Sequence, residues 1–196
     1  MKKLLMLAIS VLLWTGSEVA AQDWQATIRQ WTKDAAAGDV EAAYNLGLIY
    51  YRGEGGVTPN LREALSWWTR AAEGGFVQAQ YNLGYAYYAG EGVMQDYAQA
   101  VKWFTLAANQ GFAQAQSNLG SCFYQGHGVA QDYAEAVKWW SLAADQGIPE
   151  AQFSLAMCYA KGHGVPRSDE NAIMLLKEAA ARGYQPAANV LGQLGR

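Results

Sequence analysis

The residues of this 196-residue chain with chemistry beyond packing are two cysteines, two histidines and a set of glycine-bracketed turns. Cys122 and Cys158 stand 36 positions apart, as do His127 and His163. Equal spacing invites a disulfide in one case and a shared metal in the other. A metal, however, needs its ligands to converge at about 2 Å. The histidines share their turn position with Glu91, with Glu54 nearby, and one structural unit separates each from the next; all are read as exposed turn residues. The turns Gly90-Glu91-Gly92-Val93, Gly126-His127-Gly128-Val129 and Gly162-His163-Gly164-Val165 resemble phosphate cradles, but a cradle needs a third spaced glycine and a strand entering a helix. Neither is present, so the glycines are assigned to left-handed turn positions and the valines to plugging the gap between helices. No nucleophile elbow, no zinc-protease helix motif and no Ser-x-x-Lys occurs. The adjacent acids Asp169 and Glu170 suit the start of a helix, where the helix dipole favours negative charge. The expectation is a protein without catalytic residues, metal or cofactor.

The remaining residues must position whatever surface does the work. Met1-Lys2-Lys3, an apolar run from Leu4 to Trp14 and the small residues Val19-Ala20-Ala21 have the make-up of a secretory signal peptide cut near Ala21. The apolar run is shorter than the roughly 20 residues that span a bilayer. A periplasmic or secreted protein without stable membrane insertion is therefore expected. Removing Lys2, Lys3 and Glu18 takes the net charge from −3 to about −4. Mild acidity with no Lys/Arg cluster excludes the electrostatic footprint of nucleic-acid binding. A hydrophobic content of 52%, with 13% aromatics, is enough for a substantial core.

Self-comparison divides the rest into repeats at 39–75, 76–111, 112–147 and 148–183, flanked by an N-terminal capping helix in 22–38 and a C-terminal half-repeat in 184–196. The first repeat carries one extra glycine, in Gly53-Glu54-Gly55-Gly56. Within a repeat, Ala79, Leu83, Ala86 and Tyr87 fall on one face of a 3.6-period helix A, and Ala100, Trp103, Phe104, Ala107 and Ala108 on one face of helix B. Helix B opens each time on a capping pair: Asn60 with Glu63, Asp96 with Gln99, Asp132 with Glu135, Ser168 with Asn171. Gly75, Gly111, Gly147 and Gly183 stop it. One helix pair cannot bury its apolar face alone, so the units stack. Core columns are predicted at Leu46, Leu83, Leu119 and Leu155 on helix A, and at Trp67, Trp103, Trp139 and Leu175 on helix B. Equivalent positions in stacked pairs should lie roughly 9 to 10 Å apart, beyond the ~7 Å between Cα atoms that a disulfide tolerates. Cys122 and Cys158 are thus read as small buried hydrophobes.

The pattern Ala-x-x-x-Leu-Gly-x-x-Tyr-x-x-Gly-x-Gly-Val-x-x-Asp-x-x-x-Ala-x-x-Trp-x-x-x-Ala-Ala-x-x-Gly, read from Ala79 to Gly111, resembles the Sel-one-like repeat, a relative of the tetratricopeptide repeat. That resemblance implies an all-α fold, a right-handed α-solenoid of helix-turn-helix repeats, acting as adaptor, regulator or host-contact protein with no common enzymatic activity. Some secreted members join helices A and B by a disulfide; this chain lacks the helix B cysteine. Some were described as β-lactamase-like, a chemistry for which the residues are missing here.

Helix A bears a second stripe, pointing away from helix B: Tyr81, Asn82, Tyr85 and Tyr88, with Tyr44, Asn45, Leu48 and Tyr51 before it, and Asn118, Tyr124, Phe153 and Met157 after it. By similarity to tetratricopeptide repeats, these positions line a concave groove that takes a protein or peptide partner. Tyrosine rings supply rigid apolar area, and hydroxyl and amide groups can bond a peptide backbone. Covering the seams between repeats is the other role open to these tyrosines. In the groove reading, Tyr85→Ala with Tyr88→Ala weakens partner binding by several kcal/mol without unfolding the protein. The predicted function is a non-enzymatic, regulatory scaffold or adaptor that binds a protein partner in the groove; the alternatives are an immunity protein neutralising a toxic effector and an envelope hydrolase, for which no residue speaks. The short last helix leaves Val190 and Leu194 partly uncovered, which predicts weak self-association.

Overall fold

The computed structural model describes residues 24–195; the signal-peptide assignment, residues 1–21, lies outside them. Ten α-helices and a single 3-10 turn make up the secondary structure of the described residues. α1 (Trp24–Ala36) precedes four helix pairs: α2 (Val40–Arg52) with α3 (Leu61–Glu73), α4 (Val77–Ala89) with α5 (Tyr97–Asn109), α6 (Ala113–Gln125) with α7 (Tyr133–Asp145), and α8 (Pro149–Lys161) with α9 (Asp169–Ala181). α10 (Gln185–Gln193) closes the stack, and the 3-10 turn Glu54–Gly56 absorbs the extra glycine of the first repeat. Each helix packs on its neighbours in sequence, so helix B of one repeat lies between its own helix A and the next, as in an α-solenoid.

Local chemistry sets the helix boundaries. Asn60, Asp96, Asp132 and Ser168 each accept the amide three residues on, at 3.1, 3.0, 3.0 and 3.2 Å, satisfying a donor that the first turn leaves orphaned. Helix A opens differently after the first repeat. Phe76, Phe112 and Ile148 hold the N-cap position and give no side-chain cap; instead they pack half-buried against the preceding repeat.

The core confirms one predicted column and corrects the other. Leu46, Leu83, Leu119 and Leu155 are all buried. On helix B the innermost residues are Trp68, Phe104, Trp140 and Leu176, one position beyond the predicted Trp67, Trp103, Trp139 and Leu175. Trp103 and Leu175 are buried as well, but Trp67 and Trp139 are only half-buried, with Arg70 and Lys138 lying over their rings at 5.3 and 5.5 Å. The cause sits on helix A. Each deep ring lies on a glycine of the facing helix: Trp68 on Gly47, Phe104 on Gly84, Trp140 on Gly120, where a β-carbon at Gly84 would stand 2.5 Å from Phe104 Cδ1. In the fourth repeat the same positions hold Ala156 and Leu176, a methyl gained where a ring is lost.

A buried amide ladder, absent from the sequence reading, ties the repeats together. Gln80 and Gln116 donate through Nε2 to the carbonyls of Ala72 and Ala108 at 3.2 Å, while Gln110 and Gln146 donate to Gln80 Oε1 and Gln116 Oε1 at 2.8 Å. The last carbonyls of one helix B are thereby bonded to the next helix A.

Cys122 and Cys158 are free and buried, as expected for small core residues. Burial pushes both thiols up from 9.0 to about 11, with Lys161 opposing at Cys158. Iodoacetamide at pH 8.5 is expected to leave the native protein unlabelled and to label both cysteines in denaturant; rapid native labelling would contradict their burial. The sign of the pH effect follows. A raised folded-state value means that the stabilisation is complete below about pH 9 and is lost as pH climbs through 9.0 towards about 11, when only the unfolded chain ionises freely. Burial also raises the phenols of Tyr44, Tyr81 and Tyr88 above 10.0. The melting temperature should therefore fall between pH 9 and 11, as thermal melts across that range will show.

Candidate partner-binding groove

The outward stripe of helix A divides into two populations. Tyr44, Leu48 and Tyr51 of α2 and Tyr81, Asn82 and Tyr85 of α4 converge on one hollow of about 350 Å³. Sequence reasoning missed Leu61, Trp68 and Glu91, which complete its wall alongside Arg52 and Ala86. Tyr51 and Tyr85 are the open rings, 44% and 47% exposed. Tyr51 leans on Trp68, with ring centroids 5.4 Å apart. Arg52 is held by Glu54 at 3.3 Å.

The other stripe residues serve mainly the seams between repeats. Tyr44 rests on Phe76 at 4.8 Å, Tyr81 on Phe112 at 5.1 Å and Phe153 on Tyr184 at 5.5 Å; the first two thus belong to both populations. Asn82 of the next A helix stands by the Tyr44 hydroxyl and Asn118 by that of Tyr81, opposing the rise that burial imposes on each phenol. Tyr88 is packed among Tyr97, Phe104 and His127, and Tyr124 among Tyr133, Trp140 and His163. Asn45 and Met157 are half-buried and lie outside the hollow. Tyr88→Ala would thus disturb packing as well as any binding, so the more exposed pair, Tyr51 and Tyr85, is the one for testing the groove.

The histidines are not bare turn residues. His127 lies flat on Tyr97, with centroids 4.4 Å apart and planes 13° apart, and His163 on Tyr133 at 4.5 Å and 15°. The Tyr88 and Tyr124 hydroxyls meet Nδ1 of these rings at 3.5 and 3.1 Å. Each imidazole leaves the turn of one repeat and closes on the preceding one. The glycine after it permits this approach: a β-carbon on Gly128 or Gly164 would fall on the carbonyl of Tyr97 or Tyr133. Among the described residues no group of three or more His, Cys, Asp or Glu is placed to hold a metal ion, and no helix is long and apolar enough to cross a membrane.

Four consecutive segments, residues 40–76, 77–112, 113–148 and 149–184, match the family model described as Sel1 repeat. No curated protein matches the chain. Among solved structures, a protective antigen present in uropathogenic Escherichia coli strains and displaying an SLR fold is 42% identical, with a TM-score of 0.80, over 85% of this chain and 36% of its own. A Sel1 repeat protein from Oxalobacter formigenes is 34% identical, with a TM-score of 0.77, over 83% of this chain and 66% of its own. This chain thus spans about a third of the first relative and about two thirds of the second. An immunity protein from Pseudomonas aeruginosa is similar in fold alone, at 21% identity and a TM-score of 0.50 over 88% of this chain and 64% of its own.

Proposed function

This chain belongs to the Sel1 repeat family, and from that premise we propose that it is a periplasmic or secreted scaffold that docks a segment of a protein partner in the hollow between repeats one and two. Sel1 repeats generally act as non-catalytic scaffolds for protein–protein interaction. The observation that carries the reading is the pairing of exposed Tyr51 and Tyr85 over an apolar wall that includes Leu48, Leu61 and Trp68. Tyrosines of this kind contribute large contact area at low cost in side-chain entropy, and buried interface cores are enriched in them. Export rests on the make-up of residues 1–21, and the N-terminus of the protein recovered from the periplasm or medium should begin at Gln22.

The test is affinity capture from a periplasmic extract, followed by titration of the captured partner against the wild-type protein and the Tyr51→Ala/Tyr85→Ala variant. Both rings are substantially exposed, so the variant should keep its helical circular dichroism and melting temperature. Its affinity should drop by roughly tenfold or more. An affinity equal to wild type would overturn docking in this hollow. The immunity-protein reading has a likeness of fold behind it and no site. A weak dimer through α10 is a second expectation, because Leu194 is 54% exposed beside buried Leu191; a light-scattering mass of one chain at all concentrations would refute it.

A further inference from the structure

The stack closes its seams unequally. Between repeats two and three, and again between three and four, an imidazole from the later turn is stacked on the tyrosine that opens helix B of the earlier repeat and meets a tyrosine hydroxyl near the end of helix A. Between repeats one and two the corresponding three positions hold Glu91, Leu61 and Tyr51. A carboxylate does not stack as an imidazole does, and leucine offers no flat face. All three residues line the hollow, which therefore opens at the seam that lacks the planar, nitrogen-bearing plug found at the other two. Its charge is equally specific. Arg52 on its rim is taken up by Glu54, while exposed Glu91 has no ion pair among the described residues.

We propose that this open seam is an anchor pocket for an arginine side chain of the protein partner, a site that rests on the docking reading above and gives it a chemical identity. The guanidinium is planar, as the missing imidazole is. It is weakly hydrated enough to lie against the Tyr51 and Tyr85 rings, and its fork matches the Glu91 carboxylate. The three methylenes of its stem are suited to the apolar wall at Leu48 and Leu61. A partner carboxylate would meet Glu91 as a like charge, and a lysine ammonium, compact and strongly hydrated, cannot reproduce the flat contact.

The indole N–H signal of Trp68, in the wall of the pocket, reports occupancy in NMR spectra of the ¹⁵N-labelled protein. N-acetyl-arginine amide should shift that signal to saturation, and its uncharged isostere N-acetyl-citrulline amide should bind at least roughly tenfold more weakly. Leu61→Tyr with Glu91→His rebuilds the clasp of the other seams and should abolish the response. Glu91→Gln, which leaves the shape intact, should weaken it several-fold. No saturable shift, equal binding of the two probes, or undiminished arginine binding in folded Leu61→Tyr/Glu91→His or in Glu91→Gln would overturn the assignment. The two proposals fail separately: a partner that is sensitive to Tyr51→Ala/Tyr85→Ala, combined with absent arginine-probe binding, removes the anchor and leaves the docking surface. A partner insensitive to that pair removes both.

Discussion

Phe104→Ala is expected to lower the stability of the protein by about 3–5 kcal/mol, the range for deleting a fully buried aromatic ring. The ring is 0% exposed and is set against Gly84. A glycine has no side chain to move into the void, and the Tyr81 and Tyr88 rings, 6.1 and 6.3 Å away, are held by their own seam contacts. Collapse of the cavity is therefore limited, which places the cost in the upper part of the range. Phe104 shares its cluster with Ala115, Leu119 and Cys122 of the next repeat. In a stack held together by nearest-neighbour terms, the loss falls both on the helix pair of repeat two and on its coupling to repeat three. Guanidinium unfolding should show the midpoint fall and the single transition broaden or split, and amide exchange should accelerate first in α4 to α6. A loss below about 1 kcal/mol would mean that the ring does not hold these helices together.

Gly128→Ala should cost about 2–4 kcal/mol, against about 1 kcal/mol for Gly111→Ala, although both glycines have positive φ, +72° and +85°. The left-handed conformation penalises a β-carbon at either site by about 1–2 kcal/mol. At Gly111 nothing lies within 4 Å, so that conformational penalty stands alone. At Gly128 the new methyl would fall on the Tyr97 carbonyl, part of a helix backbone that cannot rotate away. The turn must retreat, and His127 leaves its stacking contact with Tyr97. Equilibrium unfolding of the two variants side by side separates the costs; equal losses would show that the close approach of turn and helix is unimportant.

Much of the architecture was legible because it is set within a few residues. Asn60, Asp96, Asp132 and Ser168 cap helices with an oxygen three positions from the amide they accept. Gly75, Gly111, Gly147 and Gly183 end them with a positive φ that needs no distant partner. The 36-residue period, the helix pairs and the buried leucine column follow from such local rules. The choice of deep ring does not. Trp67 and Trp68 are about 100° apart on one helix, both large and apolar, and only the glycine on the facing helix decides which of them enters the core. That signal was present in the sequence, since the glycines at 47, 84 and 120 give way to Ala156 as the rings give way to Leu176, but it joins two helices and is invisible to periodicity within one.

The candidate groove divides along the same line. Helical spacing alone places a tyrosine-rich face on helix A, richest in repeats one and two. Which of these tyrosines are free depends on the packing of one repeat against the next. Tyr88 and Tyr124 are occupied by histidines 39 positions later, Tyr44 and Tyr81 lean on Phe76 and Phe112 while still reaching the hollow, and Tyr51 and Tyr85 remain exposed. A side chain's direction is fixed by its own helix, whereas its availability depends on what the next repeat places against it, and at the first seam that repeat supplies Glu91 in place of a ring.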